Sequence, residues 1–342
     1  MTMTYDEIFV PKPDCPLCGS KERRSQGSPR KETSTYVKVM CESFGIETLE
    51  LLEQMEIWEC EKCLTNWFDP WFSSSFVRRG YGYMVGRHIY GWAAMRAWAN
   101  QQNRPYFVGR PKLLDHILSL KPELKSYGEI NCPFSGLAFE IRNRQHPKLD
   151  RSIIAGRIRT MREMYASDQL VRHYAKPEAW KKLGRGPTSG PLSELKTVLI
   201  NEDTPLCWGH SCTFSGANCR SFAHDLLFDD LSSFDALETE GVSLDAIGFF
   251  NILDHFTDPL RVIGKALKLT DLLVLECHPT GPVDPQHFYS IGQNLVDVLQ
   301  ERGLNAAEIT SFVTDDHAHG DVQRYFLVST SIETDRLNPR VD

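Results

Sequence analysis

The stretch LDAIGFFNILDHFTDPLRVIGKALKLTDLLVLECHP, residues 244–279, constrains the fold more than any other. LDAIGFFNIL and DLLVLECHP are apolar runs of strand length without alternation, and DPLRVIGKALKL between them carries apolar residues at helical spacing. A strand that is apolar on both sides must be covered on both sides, and two such strands joined by a helix imply a parallel pair. The pattern extends outward. PKLLDHILSLKPELK places Leu113, Leu114, Ile117 and Leu118 on one side of a helix that feeds YGEIN, read as a strand. IGQNLVDVLQERG reads as a helix ending on Gly303, and AAEITSFV and RYFLVST read as two further strands. The expected class is α/β, a mostly parallel Rossmann-like sheet with helices on both faces, with ligands bound beyond the carboxyl ends of its strands.

The N-terminal part carries a different signal, CPLC at Cys15 and Cys18 and CEKC at Cys60 and Cys63. Each C-x-x-C turn offers two sulfurs on one side of the backbone, so two turns can surround one zinc ion tetrahedrally. With every position taken by sulfur, the metal has no open place for substrate and its role is structural. The gap, residues 19–59, exceeds ordinary ribbon spacing and implies an inserted hairpin or helix around IETLELLEQM. Of the ten cysteines four fall in these pairs and the rest are scattered, a usage that suits metal in a reducing compartment better than disulfides. Cys41 is left over.

With 342 residues the chain is long enough for two units. The boundaries expected are a zinc-binding unit over 1–80, an aromatic helical bridge over 81–112, and the α/β domain over 113–335, interrupted at about 141–195 by an insertion. Residues 141–186 of that insertion hold twelve Lys or Arg against four Asp or Glu, a basic helical lobe that is either a solvated face or a surface for an anionic group or protein partner. The net charge of −7 argues against nucleic-acid binding. No apolar run reaches bilayer length and the first residues lack a basic head and apolar segment, so the expectation is a cytoplasmic protein with no membrane partner.

The order of these elements resembles class I S-adenosylmethionine-dependent methyltransferases with an N-terminal zinc-binding domain, including sugar C-methyltransferases. The likeness rests on CPLCGS, CEKCLTNWFDP, FNILDHFTDPLRVIGKALKLTDLLVLECHP and QHFYSIGQNLVDVLQERGL. It implies zinc and S-adenosylmethionine as cofactors and a small anionic acceptor such as a nucleotide-linked sugar. It also implies a glycine-rich loop of the kind D-x-G-C-G-x-G after the first strand, where the backbone approaches the cofactor. GEINCPFSG stands there instead: Glu129 near the acidic position, Asn131 and Pro133 at glycine positions, and Cys132, Ser135 and Gly136 in the loop. A ribose-binding carboxylate is implied at the end of the second strand; LCWGHS offers Trp208, Gly209 and His210 in its place. Asp225 or Asp230 fits the acidic position after the third strand, and Asn251 follows the fourth. CTFSG, Cys212 to Gly216, echoes the loop as a second Ser-Gly turn or by chance.

The same resemblance assigns Asp254 and His255 to an acidic-His pair beside the acceptor, with His255 taking a proton as the methyl group moves. His287 joins them as a catalytic candidate, and His278 and Tyr289 share the rim. Two functions therefore stand open: a methyltransferase, or a catalytically inactive methyltransferase-fold protein that serves as a binding or scaffold partner.

Overall fold

The computed structural model describes residues 4–29, 41, 44–77, 109–131, 136–137, 140–141, 144, 192, 194–202, 219–224, 231–250, 252–277, 289–291, 294–314 and 323–339. Its strands are β1 (Phe9–Val10), β2 (Arg23–Gly27), β3 (Glu56–Cys60), β4 (Asn66–Asp69), β5 (Trp71–Phe72), β6 (Ser126–Asn131), β7 (Lys196–Glu202), β8 (Cys219–His224), β9 (Ala246–Phe250), β10 (Leu272–Cys277), β11 (Tyr289–Ser290), β12 (Asn305–Glu308) and β13 (Arg324–Ser329).

Seven of them form one sheet in the order β12-β13-β10-β9-β6-β7-β8. β8, β7, β6, β9 and β10 run parallel, and β13 is antiparallel to both of its neighbours. The order reverses at β6: the chain moves outward through β7 and β8, then returns to the other side of β6 with β9. Such a switch point opens a crevice beyond the carboxyl ends of the strands, here between β6 and β9.

The apolar runs are continuous because both faces are covered. Alternate residues, Tyr127 on β6, Ala246 and Phe250 on β9 and Val274 on β10, pack with Leu113, Leu114 and Ile117 of the Arg110–Leu120 helix. The opposite residues, Ile130, Ile247, Phe249, Leu273 and Leu275, pack with the helices Ser232–Thr239, Pro259–Ala266 and Leu295–Gln300. The Pro259–Ala266 helix starts where the sequence signals it: Asp258 accepts a hydrogen bond from the Arg261 amide at 3.0 Å, and Pro259 occupies the first turn. Gly303, at φ +76°, closes the turn after Leu295–Gln300. One expectation is shortened: AAEITSFV is strand only to Glu308, and Thr310–Val313 turns into helix, with the Thr310 hydroxyl accepting from the Tyr325 amide at 3.0 Å.

A second sheet has the order β11-β4-β3-β2, and β1 pairs with β5 beside it. The turn from Cys60 to Cys63 lies between β3 and β4. IETLELLEQM contributes the Thr48–Leu52 helix. β11 comes from the far end of the chain, between β10 and the Leu295–Gln300 helix, and pairs Tyr289 with Trp67 and Ser290 with Asn66. Phe9, Trp67, Trp71 and Phe76 accordingly share one apolar core with Ile252, Leu253, Phe256 and Tyr289. Nearly all of the bridge over 81–112 and of the basic insertion lies outside the described residues. Among the described residues no helix is long and apolar enough to cross a membrane.

Candidate functional site

The four cysteines converge. The Sγ atoms of Cys15, Cys18, Cys60 and Cys63 all lie within 4.8 Å of one another, with Cys15 to Cys63 and Cys18 to Cys60 at 3.5 Å. A tetrahedron with Zn–S bonds of about 2.3 Å has sulfurs roughly 3.8 Å apart, so the set fits that ion. Two local turns of the same design produce this. In each, the first cysteine amide donates to the carbonyl five residues on, Cys15 to Ser20 at 3.0 Å and Cys60 to Thr65 at 2.9 Å. In each, the residue after the second cysteine returns its amide to the first cysteine carbonyl at 2.9 Å and adopts positive φ, Gly19 at +75° and Leu64 at +59°. Left-handed backbone suits Gly19 and strains Leu64. Without a cation, hydrogen bonding from Cys15 draws the Cys63 thiol down to about 5, while Cys15 is pushed up by the same bond and burial pushes Cys18 up to about 11. One thiolate thus forms within the cluster at neutral pH, and a divalent cation would draw off the other protons.

At the switch point Glu129 is fully buried and its carboxylate is committed to the chain: Oε1 accepts from the Gly136 amide at 3.1 Å and Oε2 from the Tyr127 hydroxyl at 3.0 Å. Gly136 itself is required by packing, because a Cβ there would overlap the Phe250 ring. The glycine that survives in GEINCPFSG therefore serves contact between loop and β9.

Neither composition nor motif announced the charged group beneath this loop. Arg110, 3% exposed at the start of its helix, pairs with the fully buried Glu276 of β10, and its guanidinium lies 4.4 Å from the Phe250 ring and 5.5 Å from that of Tyr325. Burial alone lowers the Arg110 pKa; Glu276, Tyr325 and Glu129 together outweigh it and hold the guanidinium above its ordinary value. Its Nε and Nη1 make no hydrogen bond among the described residues, so the ring faces are their compensation. One cation thereby ties β6, β9, β10 and β13 together at their site end.

Tyr127 titrates well above the ordinary tyrosine range, first because it is buried and then because Glu129 faces it. A raised folded-state value means that the folded chain keeps a proton which the unfolded chain loses above pH ~10, so this contribution is intact below that pH and falls by about 1.4 kcal/mol per unit above it. Tyr127→Phe is expected to flatten the decline between pH 10 and 11 in urea unfolding. An unchanged slope would mean that Tyr127 ionises freely in the folded chain.

Asp254 and His255 stand directly beyond β9, on the 3-10 turn Leu253–His255, and are 4% and 1% exposed. The Tyr289 hydroxyl donates to the Leu253 carbonyl at 2.6 Å, and the Tyr289 ring stacks on Trp71 at 6.3 Å. Burial, then the charge of Asp254, drives the Cys277 thiol well up at the end of β10. Of the remaining sequence candidates, Asn131 ends β6, opposite Asn201 of β7. Ser135, His210, Asp225, Asn251 and His287 lie outside the described residues, as do Pro133, His278 and CTFSG. The second strand of the parallel set is β7, which ends at Glu202 opposite His224. The strand therefore closes on an acidic residue in the sequence, eight positions before His210 of LCWGHS. The signal was available in KTVLINED, an apolar run closed by two acids.

No protein-family model matches the chain, and no curated protein matches it. Solved structures similar to parts of it include the N-terminal domain of EvdMO1 with SAH bound, at TM-score 0.32 and 12% identity over 66% of this chain and 81% of that one. The plantazolicin methyltransferase BpumL in complex with SAH aligns at TM-score 0.37 and 8% identity over 72% and 93%. Phosphoethanolamine N-methyltransferase 1 of Haemonchus contortus, in complex with phosphoethanolamine and S-adenosylhomocysteine, aligns at 0.34 and 11% over 77% and 49%. At these scores the likenesses add nothing to what the strand order itself shows.

Proposed function

We propose that the chain is a methyltransferase-like protein that binds S-adenosylmethionine at the β6–β9 switch point and holds a structural zinc ion in its four-cysteine centre. The observation that carries the reading is the sheet order, which places Asn131, Glu202 and the Asp254–His255 turn along one carboxyl edge. Such an edge is where a doubly wound sheet takes nucleoside ligands, with an acidic strand end bonded to ribose hydroxyls. In this reading Glu202 supplies those acceptors, Asn131 and Gly136 border the methionine end, and Asp225 and Asn251 border the base. When bound, the cofactor supplies an activated methyl group on a sulfonium. The protein's share is alignment, exclusion of water, and removal of one proton by His255, oriented by Asp254 and assisted by His287. The acceptor class suggested by the family likeness is a small anionic metabolite such as a nucleotide-linked sugar, with the basic insertion as its anion-facing or partner-facing part.

Calorimetric titration of the zinc-loaded chain with S-adenosylmethionine and with S-adenosylhomocysteine tests this. Micromolar binding is expected. Glu202→Ala is expected to weaken it by about 2 kcal/mol, roughly thirtyfold, as loss of a charged acceptor does, while His210→Ala leaves it within about twofold. The reverse ranking would move the ribose contact to LCWGHS. A folded, zinc-loaded chain that binds neither compound supports the inactive, partner-binding reading, which the bonds of Glu129 to Tyr127 and Gly136 favour.

A further inference from the structure

We infer that the four-cysteine sheet positions the Asp254–His255 turn through Tyr289, so that metal occupancy sets the state of the candidate catalytic rim. The inference rests on the reading of the cysteines as a metal site and of that turn as the rim, and it needs no bound cofactor.

Three contacts carry it. First, β11 is only two residues long and belongs to the cysteine sheet, through Tyr289 opposite Trp67 and Ser290 opposite Asn66. So short a strand has no stability of its own, and its partner β4 begins three residues after Cys63. Second, Tyr289 is 1% exposed and its ring lies against Trp71 of β5, which fixes the direction of its hydroxyl. Third, that hydroxyl donates to the Leu253 carbonyl at 2.6 Å, the carbonyl that also receives the Phe256 amide at 3.3 Å and closes the turn carrying Asp254 and His255. A further tie runs from the Cys60–Cys63 turn itself: the Lys62 carbonyl accepts from Asn294 Nδ2 at 3.3 Å, and Lys62 Nζ meets Glu301 at 2.9 Å. Both members of that ion pair are about half exposed, so it contributes little. Beside the shared apolar core, the buried hydrogen bond of this route is that of Tyr289. A turn of three residues has one internal amide bond, His255 to Ile252 at 3.0 Å, beyond the one that Tyr289 reinforces. Its order therefore depends on what is packed outside it.

The measurement is hydrogen exchange by NMR on the full chain, with and without zinc, in wild type and Tyr289→Phe. Phenylalanine keeps the ring against Trp71 and removes only the donor. Zinc content, from a chromophoric chelator assay, is expected to stay at one per chain in the variant. The amides of His255 and Phe256 are expected to exchange about five- to tenfold faster, the effect of one buried hydrogen bond. The His255 imidazole resonance, assigned by its loss in His255→Asn, is expected to shift. A tyrosine that only fills space would leave that resonance unmoved. Zinc removal from wild type should accelerate the same two amides at least as much, and zinc removal from Tyr289→Phe should add little more at those positions. Unchanged His255 and Phe256 amides on zinc removal, with β3 and β4 opening, would overturn the inference. So would fully additive effects of chelation and substitution, which would mean a route independent of Tyr289. If chelation also releases the β10 amides of Val274 and Leu275, the zinc-bound comparison decides: a Tyr289→Phe chain with an unmoved His255 resonance refutes the coupling. Neither outcome depends on S-adenosylmethionine, so failure of the cofactor reading is separable.

Discussion

Chelating zinc from the full chain is expected to open the cysteine-bearing sheet and bring Trp67 and Trp71 into water. The order of magnitude is set by the metal: a structural four-sulfur site contributes about 10–16 kcal/mol of binding free energy at neutral pH, and in a small metal-organised unit that energy is folding energy. The strands it joins are two to five residues long, and β2 is exposed along nearly its whole length. Strands this short add little stability of their own. Trp67 is fully buried and its indole N–H donates to the Lys12 carbonyl at 2.9 Å; Trp71 is 5% exposed. Loss of the centre removes the connection between these segments, so tryptophan emission should shift to the red and protease should cut between residues 20 and 66. Cys63→Ser should produce the same state without a chelator. Cys41→Ala should not, because Cys41 is buried in the core away from the four-sulfur group. A chelated chain with unchanged emission and cleavage would show that packing alone holds the sheet and would remove the structural role of the metal.

The parts of this molecule that could be read from the sequence are those whose cause is local. A strand covered on both faces must be apolar throughout, and AIGFF and LLVLEC are buried at every residue. A helix start needs a cap, and Asp258-Pro259 is one. C-x-x-C brings two sulfurs together within one turn, so the four-sulfur set was visible, although the pairing of the two turns needed β3 and β2 to meet. What was not legible depends on distant partners. Glu276 lies 166 positions from Arg110, and nothing in RPKLLDHIL or LLVLEC marks either as half of an ion pair. QHFYS gave two residues to another sheet, too few to show alternation. The end of β7 was not legible because it is set by pairing with β6 and β8, which reaches Glu202 beyond the apolar TVLI.

Arg110→Met is expected to destabilise the sheet by about 3–5 kcal/mol at neutral pH, the penalty for leaving a buried charge without its partner. Methionine retains much of the arginine stem's bulk against Phe250 and Tyr325, so the loss reports charge more than volume. Glu276, with no exposure, would lose the guanidinium that pairs with it. In thermal unfolding the effect is on the order of 10 °C for a domain of this size. The second substitution separates the two explanations. Replacing Glu276 by Leu in the Arg110→Met background removes the buried carboxylate that paired with Arg110 and should recover part of the loss, because buried ion pairs exchanged for apolar groups of similar volume are often neutral or better. Recovery would show that Arg110 is needed chiefly because the carboxylates are there. The double variant is accordingly expected to melt between Arg110→Met and the wild type. If Arg110→Met melts with the wild type, the ion pair carries no net stabilisation. In that case the sheet end is held by Phe250 packing against Gly136 and by the apolar face of the Arg110–Leu120 helix alone.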